Sequence, residues 1–307
     1  MTSRDAARLI DISAVRTQHT LKDIQDVVEI AKKYQFINVH SLPCWTKQVA
    51  ELLKDEPEIY VGAPVGFPGG AHKTEVKVLE AQELVKDGVQ EMDIVMNVGK
   101  FKNKEYDYVA KELAAVLAVA PDYVKTKVIL EINCLTDEEM LRACEMVIDS
   151  GADFIKTGTG WVPGDANVER IRKIKKATQG RIKVKAAGGI RTREEFDELL
   201  DMGVERFGIN TASALSIVES FDKVQQPQRD TLILSMRGAN GGGRLLLTAS
   251  PNHPRVHLTQ EPTENPARWS SCCILTAPWP PSRSSPCRSR RSRPACWCAA
   301  CACTTGA

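Results

Sequence analysis

Two lysines of the sequence stand inside short apolar segments, where a lysine needs a chemical reason. Lys156 follows two bulky apolar residues, and Lys185 lies between a valine and an alanine. Burying an ammonium group without a partner is costly, and a second positive charge nearby lowers the pKa of an amine further. One of the two lysines is then neutral and nucleophilic near pH 7, as Schiff-base chemistry on a carbonyl requires. Plain ion pairing, or a stem that reaches solvent, stays open as the alternative for either lysine.

A carboxylate in another apolar segment could complete such a site. Asp93 stands in the string Glu91–Asn97. It could hold the second lysine charged and relay protons through a water molecule. In a barrel of parallel strands the catalytic residues lie at the carboxyl ends of the strands, which all meet at one face. We therefore predict Lys156, Lys185 and Asp93 as the catalytic residues.

Glycines follow several apolar segments and indicate a second kind of site, one for an anion. Gly188 and Gly189 come after the segment of Lys185, Gly160 comes after that of Lys156, and Gly208 closes the last segment. Backbone amides in such loops and at helix N-termini bind phosphate in many barrels. Tight turns also use glycine, so a purely structural role for these glycines stays open as the alternative. The pattern favours a phosphorylated small molecule as substrate.

Three histidines offer the competing hypothesis of a metal-assisted reaction. His19, His40 and His72 fall near the ends of the first three predicted strands, where a zinc-dependent aldolase would hold its ion. They form no closely spaced pair such as His-x-His. We expect solvated loop histidines, with no metal and no other cofactor. Cys134 and Cys144 are expected to pack in the core or against a helix.

Short β-branched segments alternate with longer amphipathic ones throughout residues 1–223, and these elements must position the candidate residues. The predicted strands are Leu9–Ile12, Phe36–His40, Ile59–Pro64, Glu91–Asn97, Lys127–Ile132, Phe154–Thr157, Ile182–Ala186 and Arg206–Ile209. The predicted helices are Leu21–Tyr34, Thr46–Lys54, Thr74–Lys86, Lys104–Val119, Asp137–Asp149, Asn167–Thr178, Arg193–Asp201 and Ala212–Ser220. Strand-then-helix units repeated in this way predict a (β/α)8 TIM barrel. A doubly wound open sheet is the alternative, but no glycine-rich dinucleotide turn follows the first strand.

The composition changes sharply after residue 223. Residues 1–223 carry a net charge of −5, whereas residues 224–307 carry +7, with ten arginines, no lysine and seven of the ten cysteines. We predict a barrel domain over 1–223 and a largely disordered Arg/Ser/Pro/Cys-rich tail over 224–307. The tail is typical of GC-rich sequence translated in a wrong frame or past a lost stop codon. A zinc centre is not expected from its last four cysteines, which have no second half-site: Cys296, Cys298, Cys301 and Cys303.

Several classes of protein are excluded by the sequence. It contains no apolar run of transmembrane length, and its first residues lack the apolar stretch of a signal peptide. The acidic barrel segment argues against a nucleic-acid-binding surface. Three scattered cysteines in that segment do not make a disulfide framework, which indicates a reducing compartment. We expect a cytoplasmic protein with no nucleic-acid or membrane partner.

Five motifs, in order along the chain, resemble the deoxyribose-phosphate aldolase family. They span roughly residues 8–220 and are Gly66–Gly70, Thr74–Lys77, Glu91–Gly99, Gly151–Gly160 and Val184–Thr192. The resemblance implies a class I, metal-independent aldolase on a (β/α)8 barrel, which reversibly cleaves 2-deoxy-D-ribose 5-phosphate to acetaldehyde and D-glyceraldehyde 3-phosphate. It implies that Lys156 forms the Schiff base, that Lys185 lowers the pKa of Lys156, and that Asp93 belongs to the proton relay. It also implies a phosphate site at Gly160, Gly188 and Gly189, with groups after Gly208.

The chain departs from the family pattern near the expected substrate. The common Gly-Thr-Ser-Ser-Gly after the last strand is here Gly208-Ile209-Asn210-Thr211-Ala212, so Asn210 and Thr211 must supply the hydrogen bonds to phosphate. The usual Lys-Thr-Ser-Thr-Gly has Gly158 in place of the serine. Asp11 keeps the acid of the family's Asp-His-Thr-Leu-Leu motif, and we group it with the substrate-binding residues. Some family members use a C-terminal tyrosine, and the tail here has none.

These departures leave two other functions open. One is a Schiff-base aldolase of the same superfamily with a different sugar or sugar phosphate as substrate. The other is a non-catalytic barrel that binds a phosphosugar. Family members are commonly dimers or tetramers, so the resemblance implies a homodimer or a homotetramer.

Overall fold

The computed structural model describes residues 1–164, 167–224, 231–232, 245–250 and 253–260. The chain divides into two compact units, Met1–Gln226 and Pro227–Ala307, and each is described by itself. Among the described residues, no helix has both the length and the apolar surface needed to traverse a lipid bilayer.

Eight parallel strands close the first unit into a barrel in which each strand pairs with the next and the last pairs with the first. They are β1 (Ile10–Ala14), β2 (Asn38–Ser41), β3 (Tyr60–Val65), β4 (Glu91–Val95), β5 (Lys125–Ile129), β6 (Phe154–Lys156), β7 (Lys183–Ala187) and β8 (Arg206–Asn210). The predicted (β/α)8 barrel is confirmed. Each predicted strand overlaps the observed one, with ends displaced by at most three residues.

Ten α-helices occur in the part of the first unit that the structure describes. They are α1 (Ser3–Ala7), α2 (Leu21–Tyr34), α3 (Thr46–Leu52), α4 (Thr74–Lys86), α5 (Val98–Lys102), α6 (Tyr106–Leu117), α7 (Asp137–Asp149), α8 (Val168–Thr178), α9 (Arg193–Asp201) and α10 (Thr211–Val224). The eight predicted helices are all present. The additional helices α1 and α5 have five residues each, too few for an apolar period to be visible in the sequence.

The helix α2 illustrates why the outer elements form where they do. Thr20 and Asp23 make a capping box that satisfies backbone amides at the start of the helix. Ile24, Val28 and Ala31 are buried on one face, whereas charged side chains occupy the opposite face. Burial of that apolar stripe against the barrel stabilises the helix more than its intrinsic propensity does.

The apolar core lies between the strands and the helices. One cluster of buried side chains contains Ile12, Val39 and Phe207, and a second contains Met92 and Val128. These strand residues alternate with polar ones, because successive side chains of a strand point to opposite faces. The face turned away from the helices therefore carries the polar residues, and it forms the interior of the barrel.

The cysteines of the first unit are free thiols. Cys144 is buried on α7, as predicted for a core residue, and burial raises the pKa of its thiol to about 12. Cys134 is half-buried at the end of a short 3-10 turn, and Cys44 is exposed.

The second unit contains strands that the sequence analysis did not predict. Thr231–Leu232, Leu245–Ser250 and His253–Gln260 form β9, β10 and β11 of an antiparallel sheet, with β10 in the centre. A leucine run, a Pro-Asn dipeptide and the alternation of polar residues with Val256 and Leu258 are sequence signals typical of a hairpin, and they were missed. The predicted disorder of the remaining tail, and its last four cysteines, lie outside the described residues.

Candidate active site

A cavity of about 810 Å³ opens at the carboxyl ends of the barrel strands. It brings together nine of the ten predicted site residues: Asp11, Lys156, Gly160, Lys185, Gly188, Gly189, Gly208, Asn210 and Thr211. The tenth, Asp93, is fully buried beneath the two lysines and contacts both of them. The residues grouped on chemical grounds from separate parts of the sequence therefore share one site.

The two strand lysines lie side by side, because register pairs Lys156 of β6 with Lys185 of β7. Each ammonium nitrogen is 2.7 Å from Oδ2 of Asp93. Lys185 also lies 2.5 Å from Oδ2 of Asp11, whereas Lys156 has no second carboxylate partner among the described residues. Within the described part of the chain, Lys185 therefore contacts two carboxylates, whereas Lys156 contacts one.

Further charged side chains fill the interior of the barrel below these residues. Lys127 of β5 lies 2.6 Å from Glu91 and 3.2 Å from Asp93, and Arg206 of β8 donates to both Glu91 and Asp11. We call this group the interior charge cluster; its members are Asp11, Glu91, Asp93, Lys127, Lys156, Lys185 and Arg206. Barrel interiors are more often filled by branched apolar side chains.

The predicted site residues do not include Glu91, Lys127 and Arg206. Each of the three begins a predicted strand, and it was interpreted only as the start of that strand. A signal was present, since Glu91 and Asp93 are two residues apart and must face the same side of β4. Register then pairs Asp93 with Lys127, and Lys185 with Arg206, which no single segment of sequence reveals.

The cluster, counted over the described residues, holds four cations against three carboxylates. One positive charge is therefore in excess in a buried setting. Burial, with the charge of Lys185 as a smaller cause, lowers the pKa of Lys156 to about 8, although Asp93 opposes the shift. Loss of the Lys156 proton balances the cluster and leaves a nucleophilic amine at the cavity floor.

We expect Schiff-base formation with acetaldehyde to depend on pH through Lys156. Below pH 8 the rate of reductive trapping by cyanoborohydride should rise about tenfold per pH unit and then level off, because the neutral amine reacts and its fraction saturates above the pKa. Trapping rates from pH 6 to 10 measure this profile. Lys185→Met removes a positive charge that lowers the pKa of Lys156, so the rise of the trapping rate should move to higher pH. A rate that climbs without a plateau to pH 10 would indicate an ordinary lysine.

The two aspartates of the cluster stay ionised. Burial raises the pKa of both, but the neighbouring groups outweigh it and hold each pKa below the usual range of an aspartate: Lys185, Arg206 and Lys127 at Asp11, and His40 with the three cluster lysines at Asp93. The grouping of Asp11 with the substrate-binding residues stays a prediction, and Asp11 does line the cavity. Its carboxylate pairs with Lys185 and Arg206, and a negative charge would repel phosphate.

Glycines at the cavity wall allow close approach of the backbone. Gly160 and Gly188 both have positive φ angles, and a Cβ on Gly188 would lie 3.6 Å from the backbone of Gly160. At Gly208 a Cβ would lie 2.9 Å from Cβ of Ala187 and 3.1 Å from Cε of Lys185. Gly208 is therefore required by the packing of β8 against these two side chains of β7, a reason that is not evident from the sequence.

The start of α10 faces the cavity through Asn210 and Thr211. Asn210 caps the helix, because its Oδ1 accepts from the backbone amide of Ser213 and its Nδ2 donates to the Ser213 hydroxyl. The helix N-terminus supplies the positive end of a dipole at the cavity wall. The predicted anion site thus contains backbone amides and a helix N-terminus. The side chain of Asn210 already makes its hydrogen bonds to Ser213.

A buried glutamate shapes the loop that follows Lys156. Oε2 of Glu131 accepts hydrogen bonds from the backbone amide and the hydroxyl of Thr159. A Cβ at Gly158 would lie 2.9 Å from Oε1 of Glu131, so the departure from the usual serine leaves space for this carboxylate. Glu131 itself has a positive φ of 53°, which is uncommon for a side-chain-bearing residue.

Aromatic and basic side chains form the cavity rim, which we define as Arg16, Phe67 and Trp161. Arg16 donates to the carbonyl of Gly160 at 3.2 Å, and its guanidinium lies 5.3 Å from the Trp161 ring centre. The Phe67 ring meets Trp161 edge to face at 5.8 Å. The sequence analysis did not single out these residues, since they lie in loops that come together only in the closed barrel.

The expectation of solvated histidines is wrong for His40. His40 lies inside β2, is only 3% exposed and lines the cavity, because the strand turns it toward the barrel interior. His19 is half-buried at the cavity wall, and His72 is exposed. No group of three or more His, Cys, Asp or Glu side chains in the described part of the chain has the geometry to hold a metal ion.

Comparison with known proteins places this geometry among aldolases. Residues 7–215 match the profile of the DeoC/LacD family aldolases. The chain is 42% identical to deoxyribose-phosphate aldolase of Klebsiella pneumoniae subsp. pneumoniae over 231 residues, or 74% of this chain and 91% of that enzyme. The solved structure of the aldolase QR15 has a TM-score of 0.68 and 38% identity, and covers 72% of this chain and 97% of its own.

A second solved structure extends the likeness. Deoxyribose phosphate aldolase from Aeropyrum pernix, described as having a unique tetrameric structure, has a TM-score of 0.66 and 26% identity, and covers 73% of this chain and 93% of its own. A separate match, to the NFACT N-terminal and middle domains, spans residues 214–275. It covers less than half of the chain and begins within α10, so it carries no functional argument.

Proposed function

Because the chain belongs to the DeoC/LacD family of aldolases, we propose that it cleaves 2-deoxy-D-ribose 5-phosphate reversibly to acetaldehyde and D-glyceraldehyde 3-phosphate. The observation that carries this proposal is the position of Lys156. It ends β6 at the floor of the cavity, with a pKa of about 8 and Asp93 in contact. A class I aldolase needs such an amine in its neutral form.

The reaction begins with attack of the neutral Lys156 amine on the substrate aldehyde. Loss of water from the adduct gives an iminium ion, which withdraws electrons from the neighbouring carbon–carbon bond. Asp93 is 2.7 Å from the amine and stabilises the positive charge that develops there. Cleavage releases the phosphorylated aldehyde and leaves a two-carbon enamine on Lys156.

Protonation of the enamine completes the cycle. Asp93 and Lys185 share a hydrogen bond of 2.7 Å and can relay a proton to the enamine carbon through a water molecule. Lys185 contacts the carboxylates of both Asp11 and Asp93, so we assign it the role of proton donor and Lys156 that of nucleophile. Hydrolysis of the resulting iminium ion then frees acetaldehyde and restores the lysine.

The substrate phosphate is proposed to bind where the glycine loops meet the start of α10. Support comes from Gly160, Gly188 and Gly189, whose backbones line the cavity, and from the helix N-terminus at Thr211. Arg16 and Arg191 add positive side chains to the same cavity. These groups together suit a phosphorylated small molecule.

Reductive trapping with acetaldehyde tests the proposed nucleophile, and the tail is proposed to be dispensable for it. We expect one reduced adduct on Lys156, found by peptide mass mapping, both in the full chain and in a chain ending at residue 226. The first compact unit ends there and the family match ends at residue 215. No adduct in either form would contradict the Schiff-base mechanism, and an adduct only in the full chain would contradict the proposal about the tail.

One observation favours a second candidate substrate within the same chemistry. Asn210 ends β8 at a position where the family often has hydroxyl donors, and its side chain is engaged with Ser213. A Schiff-base aldolase for a different sugar or sugar phosphate would keep Lys156, Lys185 and Asp93. Relative kcat/KM values for phosphorylated and unphosphorylated aldehydes distinguish the two, and ligand binding without turnover would favour a non-catalytic barrel.

We also propose a homodimer or homotetramer as the assembly and the cytoplasm as the location. The tetramer described for the Aeropyrum pernix aldolase supports the first of these. The free thiols Cys44, Cys134 and Cys144 support a reducing compartment.

A further inference from the structure

A histidine in the barrel interior has no role in the mechanism above. His40 is 3% exposed and lines the cavity beside the two lysines. The neighbouring strand is shaped to accept it, since a Cβ at Gly62 of β3 would lie only 2.2 Å from Nδ1 of His40. Only glycine at that position leaves room for the imidazole, so the fold provides a defined space for the ring.

Asn38 determines which ring nitrogen of His40 carries the proton. Nδ2 of Asn38 donates a hydrogen bond to Glu91 at 2.9 Å, which turns Oδ1 of the same amide toward Nδ1 of His40 at 3.4 Å. A carbonyl oxygen can only accept, so Nδ1 carries the proton. The lone pair of His40 is therefore on Nε2.

Nε2 of His40 is directed at the reacting centre. It lies 3.5 Å from Oδ2 of Asp93, the oxygen that also contacts the amines of Lys156 and Lys185. In the described residues it has no hydrogen-bond partner. The charged groups that face the ring are Asp93 and three lysines, Lys127, Lys156 and Lys185.

Asp93 and His40 are the two groups near the proposed substrate site that could accept a proton. They differ in whether their lone pairs already have partners. Asp93 contacts Lys156 and Lys185 through Oδ2 and lies 3.2 Å from Lys127 through Oδ1. His40 is neutral at working pH, because burial lowers its pKa to about 3, and its Nε2 lone pair is unengaged. An imidazolium formed during the reaction would be stabilised by the adjacent Asp93 carboxylate.

We propose that His40 is a further catalytic residue, the base that takes the proton from the substrate hydroxyl on the carbon that leaves as an aldehyde. This inference rests on the proposed function, since it requires the iminium ion on Lys156. Nε2 of His40 removes the hydroxyl proton, and the O–H electrons form the new carbonyl. The bond between the second and third carbons breaks, and its electrons form the enamine double bond and neutralise the iminium nitrogen. The proton then passes through Asp93 and water to the second carbon.

His40→Gln separates this step from the others, because the glutamine amide can bind the hydroxyl but cannot accept its proton. We expect kcat for cleavage of 2-deoxy-D-ribose 5-phosphate to fall about 100-fold with little change in KM. Reductive trapping of acetaldehyde on Lys156, and deuterium exchange into the methyl group of acetaldehyde in D2O, should stay near wild-type rates. Neither of these reactions involves the hydroxyl. Added imidazole should restore part of the cleavage activity in His40→Ala.

The control is His72→Gln, a change at an exposed loop histidine, which should leave all three reactions unchanged. Cleavage by His40→Gln near the wild-type rate would overturn the inference. A parallel loss of cleavage, trapping and exchange would also overturn it, because it would indicate a structural role. If the wild-type protein itself forms no adduct on Lys156, the proposed function fails, and that outcome is distinct from a failure confined to His40.

Discussion

Replacing Lys156 with alanine is expected to lower kcat/KM for aldol cleavage by at least about 10^4-fold without destabilising the barrel. The loss of activity follows because Lys156 supplies the neutral amine at the cavity floor that forms the Schiff base. The retained stability follows from the charges. Without Lys156 the interior charge cluster, as described, has three cations and three carboxylates. Steady-state assays and urea unfolding measure the two effects.

The matched control for that prediction is Lys127→Ala, the same substitution elsewhere in the cluster. Lys127 lies within 4 Å of three carboxylates, those of Asp11, Glu91 and Asp93, and it is fully buried. Its removal leaves the same charge count as Lys156→Ala but takes a cation away from three buried carboxylates instead of one, and we expect a loss of about 3–5 kcal/mol in the free energy of unfolding. Equal destabilisation by the two substitutions would contradict this difference in pairing, and aldol cleavage by Lys156→Ala would contradict its role as nucleophile.

Replacing Asp93 with asparagine is expected to separate nucleophile formation from proton transfer. The amide cannot relay a proton as the carboxylate does, so cleavage should slow by about 10^2–10^4-fold. The Asp93 charge raises the pKa of Lys156, and its removal should move the rise in the trapping profile below pH 8. Trapping therefore persists at neutral pH while turnover is lost. A profile that moved to higher pH would contradict this account of the Lys156 pKa.

Glu91→Gln serves as the control for Asp93→Asn because it removes a carboxylate two residues earlier on the same strand. Glu91 pairs with Lys127 and Arg206 but makes no direct contact with Lys156. Both variants should lose stability, by about 3–5 kcal/mol, since each increases the excess of buried positive charge to four cations against two carboxylates within the described cluster. Only Asp93→Asn should shift the pH profile of trapping appreciably.

The barrel could be predicted because its strands and helices have different periods, and these are local properties of the sequence. Helices such as α2 and α7 show an apolar stripe, and their residue ranges were predicted correctly. Lys156 and Lys185 could be identified because a lysine in an apolar strand is conspicuous. Their contact depends on neighbouring strands of a parallel barrel, so the fold prediction was enough to place them together.

Other parts of the site depend on register and on loop geometry, which the sequence does not display. Arg206 resembles a strand boundary until register places it beside Lys185. His40 was expected in solvent because it was assigned to the end of its strand, whereas β2 continues to Ser41 and turns the ring inward. Arg16 and Trp161 meet across the cavity from residues far apart in the chain. These contacts follow from closure of the barrel.

The charged interior also limits how this enzyme can be re-engineered. Each member of the interior charge cluster contacts a neighbour of opposite charge, so a single substitution there changes the net charge of a largely buried volume. Directed evolution is therefore expected to accept interior changes as compensated pairs, such as Glu91 together with Lys127. The rim residues Phe67 and Trp161 contact each other through their rings but carry no charge, so they can vary without changing the charge balance of the interior. New substrate specificities should accumulate at the rim while the interior stays fixed.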